Sequence, residues 1–323
     1  MYAGRIHTLD SIILLAALGI AFAGYSLSGK TSDPYGTFHL ALNRLPGEDL
    51  ESEPRTEWLN MGFWRVSLSY HHVPSPNLSR CQDTDIFPEA CEALARKLIE
   101  VAQYQDGDNV LDVGHGSGES LILQISGPSV PRPSGLTGIT SLAAHHRRSF
   151  DRIFRLRRER PELECDIRLH GCDAVFRPDA KEHPLDPCNQ APPYDRILAL
   201  DCAYHFRTRS DFLRQSHVRL APGGRIALAD ICFASLDNWL SRTLVTLVSP
   251  MPRENVVRIE DYVCQMRNIG YEDVVVEDIT ADVFPGFQGF LWSRGGMWRL
   301  FSYSIGLLAN NGARFVIVSG QKK

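Results

Sequence analysis

The sequence predicts an α/β protein with a doubly wound, mostly parallel, seven-stranded sheet and helices on both faces, on three observations. Short runs rich in Val, Ile and Leu alternate with segments whose apolar residues recur every three or four positions. The first such run, Val110 to Val113, leads directly into three glycines at alternate positions, Gly114, Gly116 and Gly118. Polar residues able to contact a ligand (Thr140, Asp173 and Asp201 to His205) follow later strand-like runs, at the sheet end where open α/β folds bind their ligands.

In chain order, residues 28 to 57 are rich in Pro, Gly and acidic side chains, lack periodicity and read as a linker or irregular lead-in. The aromatic patch Glu57 to Trp64 follows. Ala90, Leu94, Leu98, Val101 and Ala102 then mark a helix over Phe87 to Tyr104, stopped by Asp106-Gly107-Asp108. Strands are expected at Val110–Val113, Gly135–Thr140, Cys165–Asp173, Arg196–Leu200, after the Pro222-Gly223-Gly224 turn, at Glu272–Ile279 and at Ala313–Gln321. Helices are expected at Leu142–Glu159, Asp211–Leu220 and Ile259–Ile269. Between the last two strands, residues 281 to 312 form an aromatic insertion charged mainly by Arg294 and Arg299, which suits a core helix, an acceptor pocket or a membrane interface.

Composition bounds the function. The 323 residues are 44% hydrophobic and 22% charged, with net charge −4, so no global basic excess points to nucleic acid. The local run from His145 to Arg160 reads as a solvated helix face. Eight cysteines without a C-x-x-C pair argue against a zinc site or a disulfide framework and suit reduced thiols facing the cytosol.

Ser11 to Leu27 is 17 residues without a charge, near the lower limit for crossing a bilayer. A membrane anchor is the preferred reading. Ala21-Phe22-Ala23 also suits signal-peptide cleavage, and a buried or interfacial helix fits the length. The anchor reading makes residues 1–30 a membrane segment, 31–57 a linker and 58–323 the catalytic domain. That domain would face the cytosol from an endomembrane such as the endoplasmic reticulum.

The glycine run decides the cofactor. Its spacing is G-x-G-x-G, with Glu119 where a dinucleotide fingerprint places its third glycine, and no Lys-Ser/Thr pair follows as a phosphate loop requires. Thr140 stands where a ribose-binding acid would. A different nucleotide-like cofactor or a plain turn remains. "VLDVGHGSG" resembles the first motif of class I S-adenosylmethionine-dependent methyltransferases. "GITSLAAHHRR", "HGCDA" and "LAPGGRIALAD", with "WLNMGFW" upstream of the glycine run, are similar to further motifs of the members acting on tocopherols, related quinols and alkaloids.

The resemblance implies a Rossmann-like fold over about Trp58 to Ile279 and S-adenosyl-L-methionine as cofactor. It places Asp112, Gly114, Gly116, Gly118, Thr140, Asp173, Ala174 and Asp201 around that cofactor, with Asp173 accepting from the adenine amino group. Asp112 would bind the cofactor's amino group or brace the turn. Trp64, Tyr70 and Tyr204 would face a small, lipophilic acceptor, with Trp58 and Phe63 contributing to an aromatic lid. His205 is the candidate general base, since imidazole titrates near neutrality, although it also suits a purely hydrogen-bonding role. No metal is implied. A soluble natural-product methyltransferase and a catalytically silent cofactor-binding scaffold are the alternatives.

Overall fold

The computed structural model describes residues 40–45, 47–49, 53–64, 84–180, 182–235 and 251–323. The apolar segment Ser11 to Leu27 and Tyr70 lie outside the described residues. Among those residues, no helix is long and apolar enough to cross a membrane.

Seven strands form one sheet: β1 (Asn109–Val113), β2 (Gly135–Ile139), β3 (Asp166–His170), β4 (Tyr194–Leu200), β5 (Leu220–Phe233), β6 (Tyr271–Asp278) and β7 (Ala313–Lys322). Their spatial order is β3-β2-β1-β4-β5-β7-β6. The first five run parallel, and β7 is antiparallel to both its neighbours. Strand order therefore reverses between β1 and β4, and the carboxyl ends of those two strands flank the switch point where ligands bind such sheets.

Among the described residues seven α-helices cover the faces: α1 (Phe87–Val101), α2 (Glu119–Ser126), α3 (Ala143–Glu159), α4 (Arg209–Arg219), α5 (Ile259–Ile269), α6 (Thr280–Arg294) and α7 (Gly296–Asn310). α1 begins with Pro88 in its first turn, where a missing N–H costs nothing, and it buries Ala90, Cys91, Leu94, Ala95 and Leu98 at helical spacing. α5 ends at Gly270, whose φ of 115° suits the left-handed position after a helix.

Strand alternation sorts the core into two layers. Val110, Leu136, Leu198, Ala227 and Ile317 meet α1, α2, α3 and α6 on one face. Leu111, Val113, Ile139, Ile197 and Leu228 meet α4 and α5 on the other. The apolar insertion is an antiparallel pair, α6 and α7, rather than a single buried helix. α6 packs inward through Val283, Phe284, Phe287 and Leu291, whereas Ser302 is the only residue of α7 that is fully buried.

Candidate active site

The three loop glycines do different work. Gly114 leaves β1 at φ 82°, and a Cβ there would stand 2.5 Å from Cys202 Sγ and 2.9 Å from Cys202 Cβ. This glycine is what lets the β1 and β4 ends converge. Gly116, at φ 54°, would carry a Cβ 2.7 Å from Leu59 Cδ1, so its bare backbone faces the segment that crosses the loop. Gly118 lets the start of α2 approach α3, since a Cβ would lie 3.0 Å from Ser149 Cβ. Gly114 and Gly118 act through packing within the domain, and Gly116 lies beneath Leu59 of the strap.

Asp112 braces this turn from below. It is buried, and its Oδ2 accepts from Gln124 Nε2 at 2.6 Å. Burial pushes its carboxyl up to about 6, against the hydrogen bonds of Ser120 and Gln124. Of the two roles the resemblance offered, the contact seen is the bracing one.

Residues 57 to 64 form a strap across the loop. Ser117 Oγ donates to Glu57 O at 2.5 Å, and Glu57 N donates to Glu119 Oε1 at 2.5 Å. Arg148 of α3 pairs with the Glu57 carboxylate and Arg152 with that of Glu119. Part of the basic run read as a solvated face therefore latches the strap, and sequence spacing gave no sign of partners 91 and 33 residues away. The stretch expected to be a linker also packs onto the domain at its end: Asn43 is buried, donating to Trp58 O and accepting from Trp58 N. The indoles of the aromatic patch turn inward. Trp58 is buried, and Trp64 sits against Phe87 and Phe290 between α1 and α6, with its backbone N–H on Asp282 O. The strap's backbone and Leu59, rather than its tryptophans, roof the loop.

Asp201 closes the other side, one residue beyond β4. It holds φ 56°, the left-handed region that a non-glycine residue adopts at a cost. Its Oδ2 accepts from Met61 N at 2.8 Å and its Oδ1 from the Tyr204 hydroxyl at 3.0 Å. Burial pushes its carboxyl up to about 7, partly opposed by the hydrogen bonds from Met61 and Tyr204 and aided by the nearby Asp230.

The folded state therefore keeps the Asp201 proton up to about pH 7, while the unfolded chain loses it near 3.8. Between those values the folded state holds more protons, so stability falls as pH rises. Asp201→Asn is accordingly expected to unfold at higher temperature than the parent at pH 8, by up to about 4 kcal/mol in stability, with the gap closing toward pH 4. Thermal melts at both pH values check this. A gap that ignores pH would show the carboxylate to be unstrained.

Tyr204 and His205 form a short 3-10 turn, Ala203–His205, with ring centroids 4.1 Å apart. The turn is held from behind by Asn255, whose Nδ2 donates to Tyr204 O and Phe206 O. Asn255 in turn is fixed by Arg209, through Arg209 N to its Oδ1 and Arg209 Nη2 to its O. Arg209 is paired at 2.8 Å with Asp230, to which Tyr262 also donates, and all three are buried. Nothing in the motifs pointed to this network. The one sequence cue is an Arg at the start of an otherwise core-facing helix.

At the far end of the cleft, Thr140 is buried just beyond β2, with its N–H on His170 O. His115 explains the glycine of "GIT": a Cβ on Gly138 would lie 2.8 Å from His115 Cδ2, so the imidazole needs that bare backbone. Burial drives His115 down to about 3, which keeps it neutral. Asp173 lies just past β3, where its Oδ1 accepts from Val175 N, and Ala174 is buried beside it. His183, which sequence reasoning passed over, bridges this corner: Nε2 meets Asp173 O at 2.8 Å and Nδ1 accepts from Leu185 N at 3.0 Å.

The structure thus gathers Asp112, Gly114, Gly116, Gly118, Thr140, Asp173, Ala174, Asp201, Tyr204 and His205 along the carboxyl ends of β1 to β4. Trp64 stands apart in the α1–α6 layer. The bare Gly116 backbone lies under the strap, with Thr140 and Asp173 just past successive strand ends beside it. These residues fit S-adenosyl-L-methionine. Among the described residues, no cluster of His, Cys, Asp and Glu is arranged to hold a metal ion.

No family model matches the chain. It is 25% identical over 269 residues to erythromycin 3''-O-methyltransferase of Saccharopolyspora erythraea, spanning 81% of this chain and 76% of the relative. Among solved structures it superposes on geranyl diphosphate C-methyltransferase from Streptomyces coelicolor A3(2), a complex with S-adenosyl-L-homocysteine. That match has a TM-score of 0.56, 16% identity and coverage of 77% and 83%. It also superposes on the cyclase SpnF with a TM-score of 0.52, 18% identity and coverage of 82% and 87%. The structural likenesses speak for the fold, and the sequence likeness extends over most of the chain. From these agreements the chain is similar in sequence to small-molecule methyltransferases and shares the fold of S-adenosylmethionine-dependent methyltransferases.

Proposed function

We propose that the protein transfers the methyl group of S-adenosyl-L-methionine to a hydroxyl of a small, lipophilic acceptor. The observation that carries this reading is the roofed glycine loop beside the Tyr204–His205 turn, which sets a cofactor trough and a candidate base at adjoining strand ends. The relative named as an erythromycin 3''-O-methyltransferase supports an oxygen acceptor.

The cofactor, when bound, supplies an electrophilic methyl on sulfur. The chain's own residues position, enclose and deprotonate. The loop backbone at Gly116 and the strap hold the donor and exclude water; Thr140 and Asp173 orient its nucleoside end. His205 would accept the acceptor's hydroxyl proton, leaving its oxygen able to take the methyl group that the bound cofactor would supply. Tyr204 lies against the imidazole, its ring tilted 50° to it, and limits its orientations.

Two measurements test this. The full-length protein is expected to bind S-adenosylhomocysteine by calorimetry, and failure to bind would remove the cofactor. His205→Gln is expected to lower kcat by about 10²–10⁴-fold with the cofactor's Kd unchanged, the range for losing a general base. Binding with no turnover across hydroxylated lipophilic acceptors would favour a scaffold instead, and a product formed without methyl uptake would point to cyclase-like chemistry.

A membrane tether through Ser11 to Leu27 belongs to the same proposal, with the catalytic domain on the cytosolic side. The uncharged run supports it, since it would bring the enzyme to acceptors dissolved in a bilayer. Deleting residues 1–30 is expected to move the protein from the membrane to the soluble fraction. Unchanged fractionation and unchanged activity on lipophilic acceptors would sink the tether.

A further inference from the structure

We propose that Asp201 is a positioning residue that clasps the strap over the glycine loop, setting the roof of the cofactor site and the Tyr204 wall with a single carboxylate. Three independent observations meet at this side chain. Its backbone sits at φ 56°, a strain that the surroundings must hold in place. Its N–H is tied to Ala229 O of β5, so the residue is fixed to the central sheet rather than to a loop. Each carboxylate oxygen already has a protein donor, Met61 N at 2.8 Å and the Tyr204 hydroxyl at 3.0 Å.

The strap is thereby pinned on both sides of Gly116. At one end Glu57 is held by Ser117, Glu119 and Arg148; at the other Met61 is held by Asp201. Leu59, between the anchors, lies over Gly116. At pH 8, where the tests below are run and the buried carboxyl has given up its proton, each of these bonds ends on a charged acceptor and is stronger than one to a neutral acceptor, which suits Asp201 to holding the strap. Its part in cofactor binding is then exerted through the strap. The same oxygens fix the Tyr204 ring, so enclosing the donor and ordering the acceptor side become one event.

This inference rests on the methyltransferase reading only for the identity of the molecule under the strap. The test uses the full-length chain with two variants. Asp201→Gly removes both acceptors while tolerating the backbone angle; Asp201→Asn keeps one acceptor and removes the charge. Two readouts are taken: amide exchange of the strap peptide around Met61, and calorimetric affinity for S-adenosylhomocysteine.

Asp201→Gly is expected to speed exchange at Met61 and weaken binding by about tenfold or more each, as loss of a hydrogen bond to a charged acceptor implies. Asp201→Asn is expected to recover most of both, leaving roughly a threefold deficit, the smaller loss when a charged acceptor becomes neutral. In turnover, the cofactor's KM should rise more than kcat falls. Unchanged Met61 protection and affinity in whichever variant folds would overturn the clasp, as would an Asn variant as impaired as the Gly one. If the parent binds no S-adenosylhomocysteine, the cofactor reading fails while the exchange readout still decides the clasp.

Discussion

Replacing Arg209 by methionine is expected to destabilise the folded protein by about 3–5 kcal/mol, the usual consequence of leaving a buried charge unpaired. Asp230 is fully buried, and Arg209 Nη1 is its ionic partner at 2.8 Å. Tyr262 donates to the same oxygen and stacks on the guanidinium at 4.2 Å, but a phenol cannot neutralise a carboxylate. Methionine matches much of the arginine's volume and none of its charge, so packing survives and electrostatics do not.

The loss reaches the site, because Arg209 holds Asn255 and Asn255 holds the Tyr204–Phe206 backbone. Turnover is therefore expected to fall even at temperatures where the variant remains folded. Removing the orphaned charge as well, in R209M/D230N, should recover part of the stability without restoring the turn. Urea unfolding of the three proteins checks this. A single-variant loss below about 1 kcal/mol would mean that water reaches Asp230.

Gly116→Val and Gly114→Val are expected to fail in opposite ways. At Gly114 the added Cβ meets Cys202 Sγ at 2.5 Å and Cβ at 2.9 Å, atoms fixed to the β4 end, and φ 82° is hostile to a β-branched residue. That variant should not fold stably. At Gly116 the first atom met is Leu59 Cδ1, the tip of a flexible side chain in the strap. The fold can yield there, but the valine methyls occupy the space between loop and strap. Although φ 54° strains a valine here as well, Gly116→Val is expected to lose less stability than Gly114→Val while binding S-adenosylhomocysteine about 100-fold more weakly or not at all, since displacing the roof forfeits the enclosure on which positioning depends. Normal affinity in this variant would show that the loop does not face the cofactor.

Which elements the sequence announced follows from how local their cause is. β1, β2, β4 and α5 appear where short apolar runs and three-four spacing placed them, since burial on a sheet or helix face is written in the residues themselves. The strand-end polar residues were legible because topology carries every parallel strand's carboxyl end to the same side. The strap was not. It depends on Glu57, Arg148 and Asp201, residues whose separation in the chain leaves no periodic trace. Trp64 misled for a related reason: an aromatic residue in a ligand-like motif and one in a core look alike until the neighbouring helices are known, and here Phe87 and Phe290 claim it.

By itself the sequence determined the alternating sheet, the bare glycine turn at its first strand and the likeness to class I methyltransferases. The turn was informative because an interval of two glycines suits neither a dinucleotide nor a phosphate loop. Only the tertiary structure decided which segment each glycine packs against, which arginines latch the strap and that Asp201 reaches both Met61 and Tyr204. Those outcomes are set by close approaches between segments distant in the chain, where a few tenths of an ångström or one buried charge outweighs any local preference.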